Sequence, residues 1–116
     1  GFFFRISDQK EPVKKGYEVQ INDVHGKDKK PGAHDAGGVI GTAAPTKQMA
    51  KPAGEWNRMI VTMKNDDLRV ELNGEKVIDI DLKKTSKKEL ADTGYISLQD
   101  HGQNLFFRNL QLKELK

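Results

Sequence analysis

The sequence has no cysteine, which rules out a disulfide framework, a thiolate metal site and a cysteine nucleophile. It has no apolar run approaching the ~18–20 residues that a membrane-crossing helix requires, and no signal peptide within the chain. Aromatic residues make up only 7% of the chain, with Trp56 the single tryptophan. It also carries no serine-centred nucleophile motif, no phosphate loop and no dinucleotide fingerprint. No internal repeat and no sustained helical period appears. What remains is one β-rich domain, or part of one, with 35% hydrophobic and 32% charged residues in 116. The chain opens on Gly1-Phe2-Phe3-Phe4-Arg5-Ile6 rather than on methionine, a start in mid-strand, so its beginning is expected to lie inside a domain.

The net charge of +3 comes with lysine clusters at Lys27, Lys29 and Lys30 and at Lys83, Lys84, Lys87 and Lys88. Both are diluted by acids and lack the arginine and exposed aromatics of a nucleic-acid surface, so they are expected to be solvated loops, with no nucleic-acid partner.

Alternation of period two marks the strands. Phe2, Phe4 and Ile6 share one face of the first, with Phe3 and Arg5 on the other. Residues Tyr17 to Asp23 form a second, with Tyr17, Val19 and Ile21 inward and Glu18, Gln20 and Asn22 outward. A one-residue slip would bury Glu18, so this register is well specified. Val24 to Pro52 is a long irregular segment, expected to be ordered and to contribute a short strand at Val39-Ile40. The residues from Glu55 to Asn73 form a hairpin turning at Lys64-Asn65-Asp66-Asp67, and Asn73-Gly74 predicts a type I′ turn into a third strand ending at Leu82. Ser86-Lys87-Lys88-Glu89 fits a capping box for one helical turn. A last hairpin is expected from Gly94 to Leu112. The pattern is an all-β antiparallel sandwich, most simply a jelly roll.

Several polar residues are candidates for chemistry. His101 stands in the loop Gln99-Asp100-His101-Gly102, where acid and amide neighbours either fix its tautomer for acid–base work or leave it capping a backbone group. Glu18 and Gln20 on one strand face, with Arg5 nearby, form either a sugar-gripping surface or a solvated sheet face. Arg5 is a candidate partner for Glu18 or for an anionic or carbonyl oxygen. Trp56 is either a sugar-stacking platform or strand packing. Arg108 falls by parity on the apolar face of Phe106, Leu110 and Leu112, where it would need a structural ion pair or a bulge. Asp23, His25, Asp28, His34 and Asp35 are scattered donors without a compact metal spacing, which leaves open a divalent ion held by loop carboxylates.

Phe3-Phe4-Arg5, Tyr17-Glu18-Val19-Gln20-Ile21, Gly54-Glu55-Trp56-Asn57, Leu72-Asn73-Gly74, Gly94 through Gly102 and Phe107-Arg108-Asn109 occur in that order. In this succession the chain resembles the bacterial 3-keto-disaccharide hydrolase family. The resemblance runs from Gly1 to Leu115 and implies a concanavalin- or laminin-G-like jelly roll whose concave face receives carbohydrate. It also implies that residues 1–116 are the C-terminal portion of one jelly-roll domain. N-terminal strands would precede residue 1, supplied by another segment or chain. The implied substrates are 3-keto-sugar glycosides. The ketone acidifies the C2 proton, so a base can remove it, the C1 substituent leaves by elimination, and water adds afterwards. On this sequence the resemblance assigns Glu18 or His101 as base, Arg5 and Gln20 as oxyanion and hydroxyl ligands, and Gln99 and Asp100 as positioning groups. One departure stands out: Ile40 occupies a position where relatives tend to have an aromatic residue. The alternatives are a non-catalytic carbohydrate-binding module of the same fold, or an interaction domain in a larger polysaccharide-degrading protein. A periplasmic or cell-surface location is expected by resemblance alone.

Overall fold

A computed structural model describes residues 1–27, 29–86 and 91–115. The elements run β1 (Phe2–Ile6), α1 (Pro12–Lys15), β2 (Tyr17–Val19), β3 (Met59–Lys64), β4 (Asp67–Leu72), β5 (Glu75–Asp81), α2 (Leu82–Thr85) and β6 (Tyr95–Leu98). They form two antiparallel three-stranded sheets, ordered β2-β1-β6 and β3-β4-β5. Between the sheets lies one apolar cluster, with Phe4, Tyr17 and Val19 from the first sheet facing Leu68, Val70, Leu72, Val77 and Ile78 from the second. This is a β-sandwich, in keeping with a jelly roll. No described helix is long and apolar enough to cross a membrane.

The first sheet is built on β1. Phe2, Phe3 and Phe4 lie opposite Val19, Glu18 and Tyr17. On the other side Phe2 and Phe3 lie opposite Leu98 and Ser97. Residues directly opposite one another share a face, so Phe2, Phe4, Tyr17 and Val19 point inward together. Phe4 stacks on both Phe2 and Tyr17, at ring separations of 6.1 and 5.5 Å. The parity of β1 breaks at Arg5, whose φ of 51° places it in the left-handed region. The ladder to β6 shifts there, between Phe3 and Ile6, and both of those residues are buried. Arg5 therefore does not simply share a face with Phe3, because an irregularity consumes the alternation.

β2 is shorter than the pattern predicted, ending at Val19, because its outer edge turns to the long segment. Gln20 N–H donates to Gly38 O (2.8 Å), Ile40 N–H donates to Glu18 O (3.0 Å), and Val19 bridges Val39. Val39 is fully buried, so the expected contribution of Val39-Ile40 is present as a bridge. Further on, Thr46 N–H donates to Val77 O (2.9 Å). The segment thus pairs with β2 of one sheet and β5 of the other, closing that flank of the sandwich.

The β3–β4 pairing runs without a break from Met59↔Leu72 to Lys64↔Asp67. Asn73 and Gly74 have φ of 52° and 86°, as a type I′ turn demands. Asn73 also joins three segments. Its Oδ1 accepts from Arg58 N–H (2.8 Å), and its Nδ2 donates to Met49 O (2.7 Å) and Asn57 Oδ1 (2.8 Å). At the far end of β5, Asp81 caps α2 by accepting from Lys83 N–H at 2.9 Å.

The last hairpin is not formed. β6 is present, but 105–112 makes no strand among the described residues, and Phe106, Leu110 and Leu112 are exposed. Asn109 has a φ of 54°, which interrupts any extended run. Arg108 is exposed rather than buried on an apolar face, and its guanidinium lies 4.0 Å over the Trp56 ring. The polar stretch between β1 and β2 holds the one-turn helix α1, with Pro12 in its first turn, and most of the proposed capping box, Lys87 to Glu89, lies outside the described residues.

Asn73→Ala removes three side-chain hydrogen bonds and the left-handed preference at the turn. It should destabilise the protein by about 1–3 kcal/mol, seen as a lower urea midpoint at unchanged slope. A second expectation concerns Asp79, whose carboxyl is held below its ordinary value by a hydrogen bond from Lys76, then by the charges of Lys76 and Arg69. A depressed carboxylate contributes stability above its unfolded pKa and loses it as pH falls through the folded pKa. The small destabilisation of Asp79→Asn at neutral pH should therefore vanish in strong acid, in urea titrations at both extremes.

Candidate functional site on the outward face of the first sheet

The same ladders that send Phe4 and Tyr17 inward send the alternate residues outward. Phe3 lies opposite Glu18 and Ser97. The Val19–Val39 bridge sets Ile40 opposite Glu18. One row across the sheet therefore reads Ile40, Glu18, Phe3, Ser97. One step along, the register gives a second row: Gly38, Gln20, Gly1, Gln99. Gln99 N–H donates to Gly1 O at 2.8 Å, which fixes that end of the second row. Phe3 and Ile40 both lie outside the cluster between the sheets, as outward residues should, yet Phe3 is covered, at 2% exposed.

Gly1 carries no side chain in the middle of this grid, and its neighbours occupy the space. A Cβ at Gly1 would run into the Glu18 carboxylate. The Gln99 side-chain oxygen lies 3.3 Å from the Gly1 nitrogen. Glu18 and Gln99 thus converge over Gly1 from opposite strands, with Gln20 in the same row.

The other predicted residues are placed differently. Arg5 does not pair with Glu18. It turns to the β3–β4 turn, donating to Asn65 O, with Nη1 3.9 Å from Asp66 Oδ1. The left-handed bulge at Arg5 redirects its side chain, and together with Asn65, Asp66 and Asp92 it lines a cavity of about 360 Å³. Asp100 accepts from the N–H of Gly102, a local turn bond. His101 is exposed, and its ring has no hydrogen-bond partner among the described residues. Trp56 precedes β3 in the other sheet, 45% exposed and covered on one face by Arg108. Glu18, Gln20 and Gln99 come together, then, while Arg5 and Trp56 stand apart.

Among the described residues, no three His, Asp or Glu side chains gather into a cation site. Asp35 accepts from Gly32 N–H (2.8 Å), and His25 Nδ1 lies 3.1 Å from Ala50 O. Asp35 thus closes a local turn and His25 reaches a distant backbone carbonyl, while Asp28 lies outside the described residues.

Ser97 was missed as a site residue, whereas Ile40 already stood out in the sequence as the departure from an aromatic residue. The signal for Ser97 is its place two residues before Gln99 in an alternating strand. Ile40 can be placed only once its pairing with β2 is known.

The chain matches the family described as the 3-keto-alpha-glucoside-1,2-lyase-like domain over residues 1–113, and belongs to it. Among solved structures it is similar to a "putative glycosyl hydrolase" from Parabacteroides distasonis, at 30% identity and a TM-score of 0.66. That match covers 72% of this chain and 44% of the other. A second structure of that description from the same organism matches at 22% identity and a TM-score of 0.67, covering 88% of this chain and 57% of the other. The chain thus spans about half the length of these structures. A comparison with curated proteins finds no match.

Arg5 makes the one described ion pair between the sheets, with 15% and 38% of the two side chains exposed. Solvent screening limits its worth. Arg5→Ala should cost about 1 kcal/mol in urea unfolding, and Asp66→Ala should give part of the same loss. If Arg5→Ala instead leaves the midpoint unchanged, the bond to the turn contributes nothing to joining the sheets.

Proposed function

We propose that the protein is carbohydrate-active and cleaves 3-keto-glycosides, with Glu18 as the base. The observation that carries this reading is the outward grid: one carboxylate, Glu18, among the carboxamides of Gln20 and Gln99 and the hydroxyl of Ser97. Membership of the 3-keto-alpha-glucoside-1,2-lyase-like family supports it. The two glycosyl hydrolase-like structures are consistent with the fold it requires.

The chemistry asks little of the protein beyond a positioned base and donors for developing charge. A C3 ketone makes the C2 hydrogen acidic. Glu18 removes that proton; the C–H electrons form the C1=C2 double bond as the C1–O bond to the aglycone breaks. The proton, now on Glu18, passes to the departing oxygen. Water then adds to the enone and yields the free 3-keto-sugar. Gln20 and Gln99 bind ring hydroxyls and hold C2 over the carboxylate. Charge on the C3 oxygen is met by donors on the same face. No step requires a second carboxylate or a metal.

The full-length gene product should release aglycone from a 3-keto-glucoside and not from the ordinary glucoside. Glu18→Gln keeps the shape and hydrogen bonding of the site but removes the base, and should lower kcat by about 10²–10⁴-fold with KM little changed. His101→Ala should retain measurable turnover, since its exposed ring makes no hydrogen bond to the grid among the described residues. The reverse ranking would move the base to His101. Binding of sugar without turnover of either glycoside would leave a carbohydrate-binding module.

A further inference from the structure

The two flanks of the sandwich bury their inward residues unequally. On the β2–β5 flank Val19 and Val77 are fully buried. On the β6–β3 flank residues aimed the same way are not. Leu98 lies opposite inward-facing Phe2, and Ile96, two residues earlier, shares its face, yet the two are 42% and 55% exposed. From the other sheet Met59, Val61 and Met63 of β3 pack against the core cluster and are only partly buried. Side chains directed between two sheets stay exposed only where the space between the sheets is open.

Both strands that border this opening are edges. β6 pairs with β1 alone and β3 with β4 alone, so each presents a row of backbone groups without a strand partner among the described residues. The other two edges are covered, because the long segment bonds to β2 through Gly38 and Ile40 and to β5 through Thr46. The C-terminal segment does not cover the opening in the same way. Arg108 lies over Trp56, ahead of β3. Leu115 reaches Thr62, Arg69 and Asp79, which the register places on the outer face of the second sheet.

An open edge beside an open apolar channel suits an extended polypeptide segment. Its backbone would satisfy the edge groups, and alternation would send every second side chain into the channel. The four residues of β6 span roughly 13 Å, enough for two such side chains. Molecules of this fold hold the chain to do it: 44% and 57% of the two solved structures are matched, so about half of each lies outside the match.

We propose that a strand from the rest of the same gene product pairs with the β6 edge as a fourth strand of the β2-β1-β6 sheet. Its alternate apolar side chains pack between Ile96 and Leu98 of the first sheet and Val61 and Met63 of the second. The occupant belongs to the same polypeptide and is not a second copy.

The test uses the full-length gene product. In residue-resolved hydrogen exchange, the β6 amides that point away from β1 should exchange at least about 100-fold more slowly than an unpaired edge allows. A photocrosslinking phenylalanine analogue in place of Leu98 should join that position to a peptide outside residues 1–116 of the same polypeptide, with a yield independent of protein concentration. Ile96→Lys should lower the urea midpoint and Ile96→Val should retain most of it, while Val13→Lys, at an exposed position on α1, should leave it unchanged. The exchange and crosslinking measurements keep Ile96 intact, so they decide the matter even if Ile96→Lys does not fold. Free exchange at the β6 edge, crosslinks that join two copies and grow with concentration, or a midpoint indifferent to Ile96→Lys overturns the proposal.

Discussion

Two ladders of backbone hydrogen bonds on β1 fix which side chains meet in this protein. β1 is the central strand of its sheet, so a single choice of register decides the pairing of β2 on one side and β6 on the other. Phe4 can stack on Tyr17 only if Glu18 stands opposite Phe3, and with Phe3 opposite Ser97 the polar rows follow. Slipping β2 by one residue would push Glu18 toward the space between the sheets and expose Tyr17 and Val19, and slipping β6 would turn Ser97 away from the outward row. The burial that holds the sandwich together is therefore the same constraint that assembles the candidate site, and neither can be altered without the other.

The two flanks of the sandwich are finished in different ways. On the β2–β5 flank the long segment donates backbone hydrogen bonds to both sheets, and His25 and Asn73 tie its later part in place. On the β6–β3 flank, Tyr95, Ile96 and Leu98 are more than 40% exposed, and Phe106, Leu110 and Leu112 lie in the open. Isolated exposed apolar residues are ordinary, but this many along one flank form a surface of the kind proteins cover with other polypeptide. The asymmetry matters for the site, because Ile40 belongs to the ordered flank while Ser97 and Gln99 belong to the exposed one.

Much of this was legible in the sequence where local rules act alone. The alternation of β3 and β4 and the Asn73-Gly74 turn need only neighbouring residues, and both are present. The outward pair Glu18 and Gln20 was readable for the same reason. What was not legible depends on partners distant in the chain. Nothing about Arg5 announces a left-handed bulge, because the conformation is imposed by its ladder and by the acceptors at Asn65 and Asp66. The apolar run at 105–112 looks like a strand, yet a strand exists only with a partner, and among the described residues Arg108 finds the Trp56 ring instead. Ile40 joins the grid through a single bridge between Val19 and Val39. That contact spans a segment whose glycines and prolines carry no periodic signal.

The composition of the outward face bears on mechanism. Direct glycoside hydrolysis uses two carboxyl groups about 5–10 Å apart, one acting as acid and the other as nucleophile or base. Across the two rows there is one carboxylate, flanked by amides, a hydroxyl and an aliphatic side chain, and Asp100 is engaged in its own turn. An oxidised sugar removes the need for the second acid, because the ketone rather than an enzymic proton makes the C1–O bond breakable. A face with one carboxylate and several neutral donors lacks the acid pair of an oxocarbenium pathway, and it is compatible with the elimination proposed above. The proposed elimination draws on no residue outside the β2-β1-β6 sheet and its bridge to Ile40.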